Sequence, residues 1–264
     1  MPRFAANLTF LFTELPFLDR FEAAARAGFR GVEFHYPYAV DPAEIRGRLD
    51  AHDLTPVLMN IRSGDQARGE WGFAGIPGRE NTFRLCVIEA IQYALRVGIR
   101  QINCIAGVKP AGVDVRTCEL KLIDNVRLAA EEFAKAGLTL NLEALNTRDV
   151  PGFLISNTRD AMRLINEIGA VNVMLQYDWY HMQIMEGART NALADTMRLL
   201  LPMIGHIQFA DAPGRHEPGT GQIDFPALFA HVDAIGYEGW VSAEYRPSGK
   251  TEDSLGWMSA VVAR

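Results

Sequence analysis

The segment AGLTLNLE, residues 136–143, shows the pattern that decides the fold. A glycine placed to end a helix is followed at once by a short apolar strand whose last residue is an acid. Glycine adopts the left-handed backbone conformation that closes a helix more easily than other residues do. The same order of helix, glycine and strand recurs along the chain, and the helix-ending glycines are Gly28, Gly98, Gly137, Gly169 and Gly236.

Eight short apolar runs are candidate strands: RFAAN (3–7), GVEF (31–34), TPVLMN (55–60), QINCI (101–105), LTLNLE (138–143), VNVMLQYD (171–178), IGHIQFAD (204–211) and GWVSAE (239–244). Amphipathic stretches separate them, and 264 residues shared among eight units gives 33 per unit. This spacing predicts an α/β fold, a single (β/α)8 TIM barrel over residues 1–264. The alternative, a doubly wound open sheet, normally carries a glycine-rich fingerprint after its first strand, and none follows Asn7.

The composition is that of a soluble globular protein, with 48% apolar and 22% charged residues. There are 26 Lys and Arg against 32 Asp and Glu, a net charge of −6, which argues against a nucleic-acid partner or an anionic membrane surface. Three cysteines with no CxxC spacing are typical of free thiols in a reducing compartment. We therefore expect a cytoplasmic protein with no membrane partner.

The last four strands share a polar residue, a spacer and then a second polar residue at their carboxyl ends. These pairs are Asn141 and Glu143, Gln176 and Asp178, His206 and Gln208, and Ser242 and Glu244. Alternate residues of a strand face the same side, so both members of each pair should point into the barrel. Buried carboxylates that face one another repel unless a cation neutralises them. The pattern predicts a divalent metal held by Glu143, Asp178, Gln208 and Glu244, and oxygen ligands favour Mg²⁺ or Mn²⁺.

Two further residues lie near this predicted site, and each has two interpretations. His181, on the loop after the sixth strand, is either a buried structural histidine or a hydrogen-bond donor to a substrate oxygen. Arg215, after the seventh strand, is either a surface residue or an anchor for an anionic group. Weaker candidates to line the same pocket are Glu33, His35, Asn60, Arg62, Asn103 and Lys109. The glycine-rich loop at residues 63–79 is either a lid or a packed surface loop.

The chain resembles the hydroxypyruvate isomerase family, close to 2-oxo-tetronate isomerase, within the xylose isomerase-like barrels. Five stretches carry the resemblance: RFAANLTFLFTELPFLDRFEAAARAGFRGVEF (3–34), GEWGFAGIPGRE (69–80), QYDWYHMQIMEG (176–187), HIQFADAPGRHEPGTGQIDF (206–225) and GWVSAEYRP (239–247). It implies metal contacts from the four residues named above, with Glu143 and Glu244 as the acid/base pair. It also implies that His181 and Arg215 contact the substrate. The chain departs from the family pattern at Ala144, His35, Tyr36 and Arg62.

The resemblance implies a metal-assisted isomerisation of a small hydroxy-keto acid, such as hydroxypyruvate to tartronate semialdehyde, through an enediolate. The substrate carboxylate then needs a cation, for which Arg215, Arg62 and Lys109 are the candidates. A ketose 3-epimerase would use the same groups, and a non-catalytic ligand-binding barrel is a further alternative. A DNA-repair endonuclease of the same superfamily would need a histidine-rich zinc cluster and a basic groove, whereas this chain has six scattered histidines. A homo-oligomer is left open.

Overall fold

The computed structural model of the protein describes residues 1–187 and 191–262. Its strands are parallel and lie in one sheet. They are β1 (Arg3–Asn7), β2 (Gly31–Glu33), β3 (Thr55–Pro56), β4 (Leu58–Asn60), β5 (Gln101–Cys104), β6 (Thr139–Glu143), β7 (Val173–Asp178), β8 (Ile204–Phe209) and β9 (Trp240–Ala243). All eight predicted runs form strands, and the third is divided in two at Val57.

The sheet closes into a barrel through this divided strand. The strand order is β3-β2-β1-β9-β8-β7-β6-β5-β4, so the two ends of the order belong to one run of chain. The backbone N–H of Val57 donates to the Val32 carbonyl at 2.8 Å, and that of Phe34 donates to the Leu58 carbonyl at 3.2 Å. The run therefore pairs with β2 on one side and with β5 on the other. The prediction of an α/β TIM barrel is confirmed.

Helices surround the barrel: α1 (Arg20–Arg26), α2 (Pro42–Ala51), α3 (Glu80–Val97), α4 (Val115–Lys135), α5 (Thr158–Ile168), α6 (Trp179–Glu186), α7 (Ala192–Leu200), α8 (Phe225–Ala234) and α9 (Gly256–Val262). The five predicted helix-ending glycines all have positive φ, and Gly98 and Gly169 directly follow α3 and α5. Asp41 caps α2 by accepting a hydrogen bond from the Ala43 backbone N–H at 2.8 Å. The helix boundaries are thus set by the local chemistry that the sequence indicated.

The core lies between the sheet and the helices. Its largest aromatic cluster joins β1, β8, α8 and α9, where Phe209 packs edge-on against Phe229 and Trp257. The three cysteines are free and buried. Among the residues described, no helix combines the length and the apolar character needed to cross a bilayer.

Candidate active site

The carboxyl ends of β6 and β7 bring together acidic and imidazole groups above the core. Glu143 ends β6, Asp178 ends β7, and His181 lies in the first turn of α6. One ligand atom from each of these three buried side chains lies within 4.8 Å of the other two. In a parallel barrel the strand tilt brings the ends of neighbouring strands to a common mouth, which is where active sites form.

Glu143 is buried, and only one of its oxygens is hydrogen bonded to another residue of the described chain. Its Oε2 accepts from the amide of Asn103 at 2.7 Å. Burial raises the pKa of Glu143 well above its ordinary value, and the charges of Glu244 and Asp178 raise it further. The carboxyl therefore has one oxygen available and a strong tendency to take up a proton.

Asp178 has one satisfied and one unsatisfied oxygen. Its Oδ1 caps α6 by accepting from the Tyr180 backbone N–H at 2.7 Å. Its Oδ2 is buried and has no hydrogen-bond partner within the described residues. Burial, followed by the charge of Glu244, raises the pKa of Asp178 to about 7. A buried carboxylate oxygen without a donor is costly, and a bound cation removes that cost.

Glu244, which directly follows β9, is in the opposite state. Its Oε2 accepts hydrogen bonds from the side-chain amides of Asn7, at 2.9 Å, and Gln208, and it also lies 3.2 Å from His35 Nε2. Its Oε1 accepts a hydrogen bond from Arg215. Burial alone would raise the pKa of Glu244, but His35 and Arg215 lower it to about 2. Glu244 is thus held as an anion by donors around both oxygens.

Arg215 is held in place by aromatic rings as well as by Glu244. Its guanidinium carbon lies 5.0 Å from the centre of the Phe10 ring and 5.1 Å from that of Tyr180. Its backbone has a φ of 59°, in the left-handed region. Asp211 anchors this loop, since its carboxylate accepts from the backbone N–H groups of Ala212, Gly219, Gly221 and Ile223. The loop therefore presents the Arg215 cation to the acids in a fixed position.

Gln208 takes part in a buried polar network beneath the acids. Its amide nitrogen donates to Glu33 at 2.8 Å and to Glu244, while its oxygen accepts from Gln176 at 2.6 Å. Glu33 also lies 2.6 Å from His206 Nε2, and both side chains are fully buried. In this arrangement the Gln208 oxygen faces Gln176, so this oxygen could ligate a metal only after the amide turned over.

The hydrogen bonds of His181 define its ring tautomer. The backbone N–H of Asn146 donates to Nδ1 at 3.1 Å, so Nδ1 is an acceptor. Burial, followed by the charge of Arg215, lowers the pKa of His181 to about 3, which keeps the ring neutral. The ring proton therefore lies on Nε2, which is 3.6 Å from Asp178 Oδ2. A protonated Nε2 donates a hydrogen bond rather than ligating a metal.

A cavity of about 640 Å³ opens above these groups. Six of the residues predicted for the site or its pocket line it, namely Glu143, His181, Arg215 and Glu244 and the weaker candidates His35 and Asn60. Gln66 and Trp71 of the glycine-rich loop also line it, so this loop covers part of the cavity. A second, smaller groove between α3 and α4 contains none of these residues.

The structure does not bring Arg62 and Lys109 into this cavity. Arg62 forms a two-pronged ion pair with Glu89, at 2.8 and 2.9 Å, and its guanidinium stacks on Tyr38. The Lys109 ammonium donates to the Val113 carbonyl at 3.1 Å. Both cations are engaged with neighbours outside the cavity lining, so neither is available there to a substrate anion.

Sequence reasoning missed two residues of the site. Asn7, at the end of β1, donates to both Glu33 and Glu244. Arg246 lines the cavity two residues beyond Glu244. The signal for Arg246 was its place two residues beyond Glu244, in the segment that follows β9. The signal for Asn7 was its place at the end of a strand.

The donor set suits a divalent cation. Glu143, Asp178 and Glu244 are three buried acids that face the guanidinium of Arg215, and Asp178 Oδ2 has no hydrogen-bond donor among the described residues. Burial and the neighbouring acids raise the pKa values of Glu143 and Asp178, so a bound cation would offset the cost of their ionised forms. These residues can therefore hold a metal ion.

Comparisons with known proteins agree with this architecture. The sequence model for the family described as xylose isomerase-like TIM barrel matches residues 21–261. The 2-oxo-tetronate isomerase of Cupriavidus necator is 44% identical over 264 residues, the full length of both chains. The hydroxypyruvate isomerase of Escherichia coli is 46% identical over 258 residues, which is 98% of each chain.

Solved structures with the same fold also match this chain. A crystal structure described as an AP endonuclease, family 2, from Brucella melitensis has a TM-score of 0.94 and 44% identity, and covers 98% of this chain and 99% of its own. L-ribulose 3-epimerase has a TM-score of 0.76 at 24% identity, with 98% and 86% covered, so its likeness shows the fold alone. The chain belongs to the xylose isomerase-like TIM barrel family and, within it, to the hydroxypyruvate isomerase branch.

Proposed function

We propose that this protein interconverts a short hydroxy-keto acid and its aldehyde isomer, as in hydroxypyruvate and tartronate semialdehyde. One observation carries the proposal: Glu143 and Glu244, both buried, line the same cavity with pKa values moved in opposite directions. Two carboxyls whose environments separate them in this way can act as an acid/base pair. The relatives named as isomerases of small keto acids support this substrate class.

We further propose that Glu143, Asp178, Glu244 and, once its amide has turned over, Gln208 hold the metal, and that it is Mg²⁺ or Mn²⁺. Three carboxylates and an amide offer oxygen ligands, which these hard cations prefer. The unpartnered Oδ2 of Asp178 supports its role as a ligand. The cation would supply Lewis-acid stabilisation of the negative charge that develops on the substrate oxygens.

We assign proton abstraction to Glu244 and proton delivery to Glu143. The reaction removes a proton from C3 and adds one to C2, while the proton of the C3 hydroxyl ends on the C2 oxygen. Glu143 has one oxygen free of hydrogen bonds from the described residues, whereas both oxygens of Glu244 accept from neighbouring side chains. The donors around Glu244 keep it ionised, so it is the base that can take up the C3 proton. Burial raises the pKa of Glu143, so Glu143 carries a proton that its free oxygen can deliver to C2.

His181 and Arg215 support these steps. His181 Nε2–H points to the acids, so it can donate a hydrogen bond to an oxygen of the enediolate. Arg215 keeps Glu244 ionised through their direct ion pair. Because this guanidinium already forms an ion pair with Glu244, we propose that its main role is to orient the acid/base pair.

A substrate screen in deuterium oxide tests the proposal. Metal-depleted protein would be assayed with Mg²⁺ or Mn²⁺ restored, against hydroxypyruvate, 2-oxo-tetronate acids, ketopentoses and ketohexoses. We expect metal-dependent aldehyde formation from the keto acids, with solvent deuterium entering at C2. Epimerisation of ketoses without turnover of keto acids would show an epimerase instead. Absence of exchange on every substrate would refute catalysis and indicate a binding protein.

A further inference from the structure

A keto acid bound in the cavity requires a cation for its carboxylate, and three of the nearby cations are already engaged. Arg215 pairs with Glu244, and Arg62 pairs with Glu89. Lys109 donates to backbone carbonyls away from the cavity. A substrate carboxylate that displaced any of these would first have to break an existing contact.

Arg246 is free of such a contact. Its side chain lines the cavity, is exposed to it, and forms no ion pair or hydrogen bond with any residue in the described ranges 1–187 and 191–262. Its backbone is fixed on both sides, since its N–H donates to the Arg215 carbonyl at 2.7 Å and its carbonyl lies 2.7 Å from His216 Nδ1. The backbone of Arg246 is therefore fixed, while its guanidinium has no ion pair or hydrogen bond within the described ranges.

The position of Arg246 relative to the acids fits one end of a short substrate. Its guanidinium carbon lies 5.8 Å from the centre of the Phe10 ring, and that of Arg215 lies 5.0 Å from the same centre. Phe10 thus lies against both guanidinium groups, and Arg215 also lies against Tyr180 of α6, the residue before His181. A substrate of three or four carbons can place its carboxylate near Arg246 and its reacting carbons near the acids.

We propose that Arg246 binds the substrate carboxylate and so selects keto acids over neutral ketoses. The inference rests on the proposed function, because it names the group that recognises the acid end of that substrate. A guanidinium and a carboxylate form paired, charge-assisted hydrogen bonds. A ketose has a neutral hydroxymethyl group in place of the carboxylate and gains little from this arginine.

The test compares Arg246→Gln and Arg246→Lys with the native protein on a matched pair of substrates. Hydroxypyruvate carries the carboxylate, and dihydroxyacetone has a hydroxymethyl group in its place. We expect Arg246→Gln to raise KM for hydroxypyruvate by roughly tenfold to a hundredfold, as loss of a hydrogen bond to a charged group does. Neither kcat for hydroxypyruvate nor kcat/KM for dihydroxyacetone should change by more than about twofold, and Arg246→Lys should restore part of the affinity. Arg84→Gln, an exposed arginine on the outer helix α3, is the matched control.

Calorimetric titration of the metal-free proteins with tartronate separates this inference from the proposed function. Suppose that the native protein isomerises none of the substrates, yet Arg246→Gln lowers the affinity for tartronate. This result would support the anion site at Arg246 and refute the proposed reaction. An equal loss on both substrates in the kinetic assay would refute the role of Arg246. So would a tartronate affinity that Arg246→Gln leaves unchanged, or no measurable affinity in the native protein.

Discussion

Replacing Asp178 with asparagine should raise the free energy of unfolding of the metal-free protein and greatly reduce its stabilisation by metal. Asparagine caps a helix as well as aspartate does, so the Tyr180 N–H keeps its acceptor. The pKa of Asp178 is raised from 3.8 to about 7, so the ionised carboxylate costs up to about 4 kcal/mol of unfolding free energy above pH 7. The buried amide group costs about 2 kcal/mol in return, which leaves a net gain of about 2 kcal/mol.

The pH dependence of this effect has a definite sign. The folded protein binds the Asp178 proton more tightly than the unfolded chain does, so the penalty is absent below about pH 4 and complete above about pH 7. The advantage of the asparagine variant should therefore appear as the pH rises through this range. Metal at a hundred times its dissociation constant would stabilise the native protein by about 2.7 kcal/mol and the variant by much less.

Urea unfolding at pH 8 and at pH 4.5, each with EDTA or with Mn²⁺, measures the free energy of unfolding of both proteins in all four conditions. Asp114→Asn is the matched control, because Asp114 caps α4 from an exposed position through Arg116 and Thr117. It should lose roughly 0.3–1 kcal/mol in every condition. An Asp178→Asn variant that is less stable than native in EDTA at pH 8, or that retains the full stabilisation by Mn²⁺, would refute the reasoning.

Other perturbations test the remaining residues of the site. Glu143→Gln and Glu244→Gln should each lower kcat by about 10² to 10⁴ with unchanged circular dichroism; near-native turnover would remove that residue from the acid/base pair. His181→Gln should lower kcat by roughly tenfold to a hundredfold, because it removes the imidazole N–H that donates a hydrogen bond to the substrate. The Mn²⁺ dissociation constant, measured by calorimetry, should change less than about twofold. A large loss of Mn²⁺ affinity would show that His181 is a metal ligand. Tyr36→Phe removes the hydroxyl that accepts a hydrogen bond from Ser63 at 2.7 Å. Amide hydrogen exchange in the glycine-rich loop at residues 63–79 should become faster, and the free energy of unfolding should fall by about 1 kcal/mol or less. Unchanged exchange would contradict this link.

The architecture could be predicted because its signals are local. A glycine after a helix and the apolar run that follows it depend on neighbours within a few residues, and this pair of signals located five of the strand runs. The apolar or β-branched character of the run alone located the other three. The division of the third run at Val57 was not foreseen, since it depends on how the run pairs with both β2 and β5 to close the ring. Local patterns determine the elements, whereas closure depends on distant partners.

Within the site, the strand-end acids could be predicted and their partners could not. The two-residue period places Glu143 and Glu244 toward the interior, and both are buried in the cavity wall. The fate of the cations depends on residues far away in sequence. Arg62 is engaged by Glu89, 27 positions later, while the Arg246 side chain has no acidic partner within residues 1–187 and 191–262. Nothing in the residues adjacent to either arginine distinguishes the two.

The closed ring also affects how this molecule meets copies of itself. An open sheet has two edge strands whose unpaired N–H and C=O groups invite strand addition and aggregation. Here each of the barrel's strand runs has a neighbour on both sides, and Thr55–Asn60 joins what would otherwise be the two edges. Contact between molecules would then use exposed surface groups, such as the side chains of Leu85 and Leu95 of α3, which are 68% and 52% exposed. Self-association would therefore leave the backbone hydrogen bonds of the barrel unchanged.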